Sequence, residues 1–306
     1  MYVPDASTVE QSDLHMIAKK SAAAVGLLAA LSSGTTASDE WAGRTYALSL
    51  TSGSRLMLEA KINHHSADAL LDSAAEATIL DRKFARVLNL TSGQRQEGHG
   101  SGQASFDTTL VNGVTLEALG LSLENQSVAV ADLEDVGRRL LNRPISVILG
   151  REIFNAARLR IDIDRRQIAV VSRDQAPHGV QLALTTEHGV ETVPVRVEDG
   201  APVRATFDLG NGSHILISRS FAMRLGVLTD GRAVSAERGG GLGGETTRQV
   251  VTLRSIEIAG RKFDRVQAAI DPQASASDVN IGVSVLRHFC ITTDFANHVV
   301  WLDPRN

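Results

Sequence analysis

Apolar positions in this chain recur mostly at every second residue. Val114–Val130, Arg160–Val171, Val190–Val197, Val250–Ile258 and Ile291–Leu302 alternate or carry short apolar runs broken by Gly, Asn and Asp. A period of two puts successive side chains on opposite faces of a pleated strand, so the pattern predicts many short strands joined by tight turns. Helical spacing is brief: Leu80, Phe84, Val87 and Leu88 in the first half, Phe221 and Leu225 in the second. The expected fold class is all-β, with one or two short helices in each half.

One pattern occurs twice. The first copy holds Ala69-Leu70-Leu71-Asp72-Ser73-Ala74-Ala75 and then Ala77-Thr78-Ile79-Leu80. The second holds Ala205-Thr206-Phe207-Asp208-Leu209-Gly210-Asn211 and then Ser213-His214-Ile215-Leu216-Ile217. Each reads apolar strand, Asp, small turn, apolar strand. Val147-Ile148-Leu149-Gly150 follows 78 residues after Asp72 (to Gly150), and Val279-Asn280-Ile281-Gly282 follows 74 after Asp208 (to Gly282). Asp162 and Asp294 each come 12 residues after those glycines and are expected to shape hairpin turns. Repetition of several landmarks in register points to a duplicated unit. The polar segment Ser172–His178, with Pro177, marks the junction between the copies.

With these residues the chain resembles the retropepsin-like aspartic proteases, related in plan to the pepsin-like enzymes, in a fused two-lobed form. That family carries in each lobe an Asp-Ser/Thr-Gly turn, a Gly-rich flap hairpin and an apolar-apolar-Gly motif. Here the corresponding segments are Asp72-Ser73-Ala74, Gly98–Gly102 and Ile148-Leu149-Gly150 in one copy. In the other they are Asp208-Leu209-Gly210, Gly239–Gly244 and Asn280-Ile281-Gly282. The resemblance spans about residues 45–303 and implies two homologous β-barrel lobes, 39–175 and 176–306. It implies hydrolysis of a peptide or protein substrate by Asp72 and Asp208, with Ser73, Ala74 and Gly210 supporting the paired turns. Gly98, His99, Gly100, Gly240 and Gly241 are then flap residues touching substrate. One chain supplies both aspartates, so a monomer suffices, and no cofactor or metal is implied.

Two carboxylates held close together cannot both ionise, so the pair shares a proton and its two apparent pKa values separate. One member can then take a proton from water while the other donates to a developing oxyanion. Two departures bear on this chemistry: Ala74 stands where the family has Gly, and Leu209 where it has Thr or Ser. A second reading therefore keeps the fold as a weakly active or inactive peptide-binding module of the cell envelope.

Composition narrows the partners. Lys and Arg number 31 against 35 Asp and Glu, for a charge of −4, with 4% aromatic residues. A nucleic-acid surface needs the reverse, so none is expected. The single cysteine, Cys290, rules out an intramolecular disulfide or a Cys-rich metal site and reads as a buried strand residue. Gly239–Gly244 formally contains G-x-G-x-x-G but joins no strand to a helix, and no Ser sits in a G-x-S-x-G elbow.

Near the amino terminus, Lys19 and Lys20 precede the apolar stretch Ala22–Leu31, and the small residues Ser32–Ser38 follow. This order is that of a secretory signal, with cleavage expected near Ala37 and Met16 as a candidate start. Residues 1–38 are thus expected to be an export segment, or else an amino-terminal anchor, with the mature chain periplasmic or secreted and free of a membrane span.

Overall fold

The computed structural model describes residues 44–272 and 277–305. The export-like segment lies outside the described residues. Strands are numbered in chain order. After β1 (Thr45–Ala47) come β2 (Ser49–Leu50), β3 (Leu56–Ile62), β4 (His65–Leu71), β5 (Ile79–Asp81), β6 (Gln94–Gly98), β7 (Phe106–Ala118), β8 (Leu121–Ala131) and β9 (Val147–Leu149). Strands β10 (Leu159–Asp162), β11 (Gln167–Val170) and β12 (Val180–Ala183) lead into the second half. That half holds β13 (Thr185–Glu187), β14 (Val190–Val197), β15 (Val203–Phe207), β16 (Ile215–Ser218), β17 (Val234–Gly239), β18 (Thr246–Ile258), β19 (Arg261–Asp271) and β20 (Val279–Ile281), and the chain closes with β21 (Phe289–Asp294) and β22 (Val299–Pro304).

The duplication is reproduced strand by strand. One sheet runs β2-β3-β4-β9-β5-β8-β7-β6 and the other β13-β14-β15-β20-β16-β19-β18-β17. In each, a late strand inserts between two earlier ones: β9 lies parallel to β4 and antiparallel to β5, and β20 lies parallel to β15 and antiparallel to β16. The chain leaving β4 or β15 must therefore step over the inserted strand to reach its next position. The aspartate turns make that step. Gly150 and Gly282 pass beneath it so closely that a Cβ would stand 2.6 Å from the carbonyl carbon of Ala77 and 2.1 Å from the carbonyl oxygen of Asn211. The apolar-apolar-Gly motif is thus a crossing point that leaves no room for a side chain.

A third sheet, ordered β1-β11-β10-β21-β22-β12, interleaves strands of both halves. Its central pair joins Leu159–Asp162 to Phe289–Asp294 in antiparallel register. Beside it Phe154 stacks on Phe295 at 5.0 Å between ring centroids, and Phe207 meets Phe295 edge-on at 6.4 Å. These rings are fully buried and carry one continuous apolar core through both lobes.

Several local expectations change in the fold. The first short helix spans Arg82–Val87, yet Val87 is 69% exposed. The helix is under two turns long and turns Phe84, Ala85 and Leu88 inward, which leaves Val87 off the packed stripe. Asp162 caps its turn by accepting from the Arg165 amide at 2.7 Å. Asp294 likewise stands at its hairpin turn, where Asn297 donates to it, but it is fully buried and also anchors Arg158 and Arg173. Cys290 is only half-buried, and Arg160 donates to its Sγ at 3.3 Å.

Candidate active site

Strands β4 and β15 deliver the two aspartates in the same way. The Asp72 amide donates to Leu149 O and the Asp208 amide to Ile281 O, each at 3.0 Å, so each inserted strand fixes the start of its turn. Each carboxylate then accepts from its own turn: Asp72 Oδ1 from the Ala74 amide at 2.9 Å, and Asp208 Oδ1 from the Gly210 and Asn211 amides at 2.8 and 2.9 Å. Neither Ala74 nor Gly210 has a positive φ, so the backbone accepts alanine at position 74. Gly210 is needed for space. A Cβ there would stand 2.4 Å from Cγ of Asp72, which shows how closely the second turn abuts the first carboxyl group.

Ser73 ties the turns together. Its hydroxyl donates to Phe207 O at 2.8 Å and accepts from the Leu209 amide at 2.9 Å, and its side chain is buried. The reciprocal pair from the second turn is missing because Leu209 has no hydroxyl; its side chain is fully buried in the main core instead. The junction is a one-sided lock.

The electrostatics are asymmetric. Both aspartates are half-buried where the two turns meet. Burial first, and the charge of Asp208 second, push Asp72 up to about 7. Burial also raises Asp208; turn amides oppose the rise at both groups, Ala74 and Ala75 at Asp72 and Asn211 and Gly210 at Asp208, while Asn280 opposes it at Asp208 alone. Asn280 Nδ2 lies 2.7 Å from Asp208 Oδ2, and Asn211 Nδ2 holds the other end of the Asn280 amide at 2.9 Å. No such donor comes from Ile148, which occupies the matching place beside Asp72. Arg55, 8% exposed, bonds Gly53 O and Leu140 O and places a cation near both carboxylates; burial lowers its own pKa, and Asp208 and then Asp72 oppose that shift. The anion is best supported on Asp208 and the proton on Asp72.

Two glycine-rich hairpin tips meet above the turns. The Gly102 amide donates to Leu242 O at 2.8 Å and the Ala104 amide to Gly243 O at 2.9 Å. A Cβ on Gly100 would stand 2.7 Å from Leu242 O. Gly98 ends β6 on this hairpin, and His99 is exposed beside it. Gly240 and Gly241 present their carbonyl oxygens to Arg139, whose two terminal nitrogens donate across 3.0 Å each. Arg139 stands on the helical segment Gly137–Leu141 of the opposite half and is steadied by Asp135.

The residues singled out by sequence thus gather in two layers, the turns of Asp72 and Asp208 below and the paired tips above. Arg55, Arg139 and Arg248 belong to the same region and are not singled out by the sequence, which offers Asn211 and Asn280 only as members of the repeated motifs. Asn280 left a trace, as a polar residue in an otherwise apolar strand. The arginines left none, since the partners that place them at the junction, Leu140 O, Gly240 O and Ser101 O, are far off in sequence. Among the described residues no group of three or more His, Cys, Asp or Glu side chains is arranged to hold a metal ion, and no helix is long and apolar enough to cross a membrane.

A family model described as an aspartyl protease matches the chain in two segments, residues 58–153 and 193–285. Each segment contains one aspartate turn and its crossing glycine. A search of curated proteins returns no match.

Proposed function

Because this chain belongs to the aspartyl protease family, we propose that it is an aspartic endopeptidase in which Asp72 and Asp208 act on one water molecule. Asp208, supported as the anion by three hydrogen-bond donors, accepts a proton from the water as its oxygen attacks the peptide carbonyl. Asp72 donates its proton to the developing oxyanion. Breakdown of the tetrahedral species then releases the amine with a proton returned from the dyad, so no covalent enzyme intermediate forms. The hairpin tips close over an extended peptide held by backbone hydrogen bonds.

The observation that carries this reading is the Ser73 bridge, which joins the two aspartate turns into one site. A second reading, a peptide-binding module without turnover, draws support from the one-sided lock that Leu209 leaves. Digestion of a peptide library by the wild-type chain beside Asp72→Asn and Asp208→Asn separates them. Cleavage abolished in both variants is expected; cleavage that persists in either contradicts the dyad, and binding without cleavage in the wild type favours the second reading.

The charge order and apolar stretch of residues 19–38 further support an exported enzyme working in the periplasm or outside the cell. Amino-terminal sequencing of the exported fraction tests this, with a start near Ser38 expected and an intact Met1 in the cytosol against it.

A further inference from the structure

The duplicated halves allow the two walls of the cleft to be compared position by position. In the first half the buried wall beside the aspartate strand is apolar. Met57, Leu70, Leu133, Ile145 and Ile148 form a small cluster separate from the main core, and Leu242, from the opposite hairpin tip, packs against it. Leu70 pairs with Ile148 across β4 and β9, two residues before Asp72 and Gly150.

At the matching places the second half is polar. Thr206 pairs with Asn280 across β15 and β20, two residues before Asp208 and Gly282. Ile145, two residues before β9, corresponds to Ser277, two residues before β20; Ser277 Oγ lies 2.7 Å from Thr206 Oγ1. Ala131, opposite Asp81, corresponds to Asp271, opposite Ser218. Thr108, whose methyl group fills the space beside Gly98, corresponds to Arg248, which fills the space beside Gly239.

Arg248 is 7% exposed and lies 3.9 Å from Asp271. Its Nη2 donates at 2.6 Å to Ser101 O, at the first half's hairpin tip. Its Nε is buried with no hydrogen-bond partner. Each tip therefore matches the wall it covers, Leu242 against the apolar one and the Ser101 carbonyl against the polar one. A buried N–H without an acceptor is costly, and a ligand that supplies one recovers that loss.

Resting on the protease reading, we infer that the cleft is divided by polarity. The peptide it takes carries an apolar side chain on one flank of the scissile bond and an acceptor-bearing side chain, amide or carboxylate, on the other, where Arg248 Nε receives it. A site built to hydrogen-bond a group rejects an apolar replacement far more strongly than an apolar pocket distinguishes two hydrocarbons, because the unmet donor stays buried.

The test is a peptide library that varies both flanks, with the full chain and kcat/KM read for each product. Wild type is expected to favour Leu, Met or Phe on one flank and Gln or Glu over Leu on the other by about tenfold or more. Arg248→Met should erase the second preference and leave the first, and Ile148→Asn should weaken the first. Arg248→Lys keeps the charge without the Nε–H, and decides the matter if circular dichroism shows the Met variant unfolded. An equal apolar preference on both flanks of wild type, or an acceptor preference intact in the folded Arg248 variants, overturns the inference. Calorimetric binding of reduced-bond peptides bearing Gln or Leu needs no turnover. Discrimination there without cleavage of any peptide supports the polar wall and sinks only the protease reading; equal affinities sink the polar wall.

Discussion

Asn280 Nδ2 donates to Asp208 Oδ2 across 2.7 Å, whereas the equivalent strand position beside Asp72 is Ile148. One substitution within the duplicated unit thus makes the two carboxylates chemically unlike. The anion gains a donor in the second lobe and gains none at that place in the first.

Replacing Asn280 with Leu should raise the pKa of Asp208, since a donor to its charged form is lost. The acidic limb of the kcat/KM profile is then expected to move to higher pH, with activity reduced about tenfold or more. Asn280→Asp is a useful second variant, because an added negative charge should raise the limb further. An unmoved limb in Asn280→Leu would show that the contact does not govern protonation.

The proton held by Asp72 also has a consequence for folding. An unfolded aspartate titrates at about 3.9, while burial and then Asp208 raise Asp72 to about 7. Between those values the folded chain holds a proton that the unfolded chain has released, so this group's contribution to stability falls as pH rises. One proton sets a slope no steeper than about 1.4 kcal/mol per pH unit, and access of the cleft to solvent reduces it. Urea midpoints across that window should decline in wild type and decline less in Asp72→Asn. Peptidase activity should fall over the upper end of the same range, as the proton needed by the oxyanion leaves.

Ser73→Ala removes the bridge and leaves Phe207 O and the Leu209 amide buried without their partner. A loss of about 1–3 kcal/mol is expected in chemical denaturation. Leu209→Thr restores a hydroxyl at the family's usual place, yet it strips apolar volume from a fully buried position. We expect it to destabilise by about 1–3 kcal/mol, and a more stable variant would show that the reciprocal bond outweighs the cavity.

Arg139 closes the second hairpin tip onto the first lobe through Gly240 O and Gly241 O. Arg139→Ala should loosen that tip without touching the dyad. KM is expected to rise several-fold with kcat changed less, and amide exchange at residues 239–244 to accelerate, as for a lid that has lost its latch. Unchanged exchange would remove the latch from the account.

The sequence by itself determined the strand-rich class, the duplication, both aspartate turns and the glycine-rich tips. These are local patterns: period-two alternation, an Asp followed by small residues, and glycine where no Cβ fits all leave a mark within a few neighbouring positions. The tertiary structure alone decided what those turns meet. Ser73 finds Phe207 O, Arg139 finds Gly240 O, and Arg248 finds Ser101 O only because the fold brings together segments more than a hundred residues apart. The antiparallel third sheet that pairs Leu159 with Thr293 is equally silent in sequence, since any alternating strand can pair with any other until packing selects the partner. The difference between the two halves was written in Thr206, Asn280, Ser277, Asp271 and Arg248 from the start, but scattered residues become one polar group only when the fold packs them together.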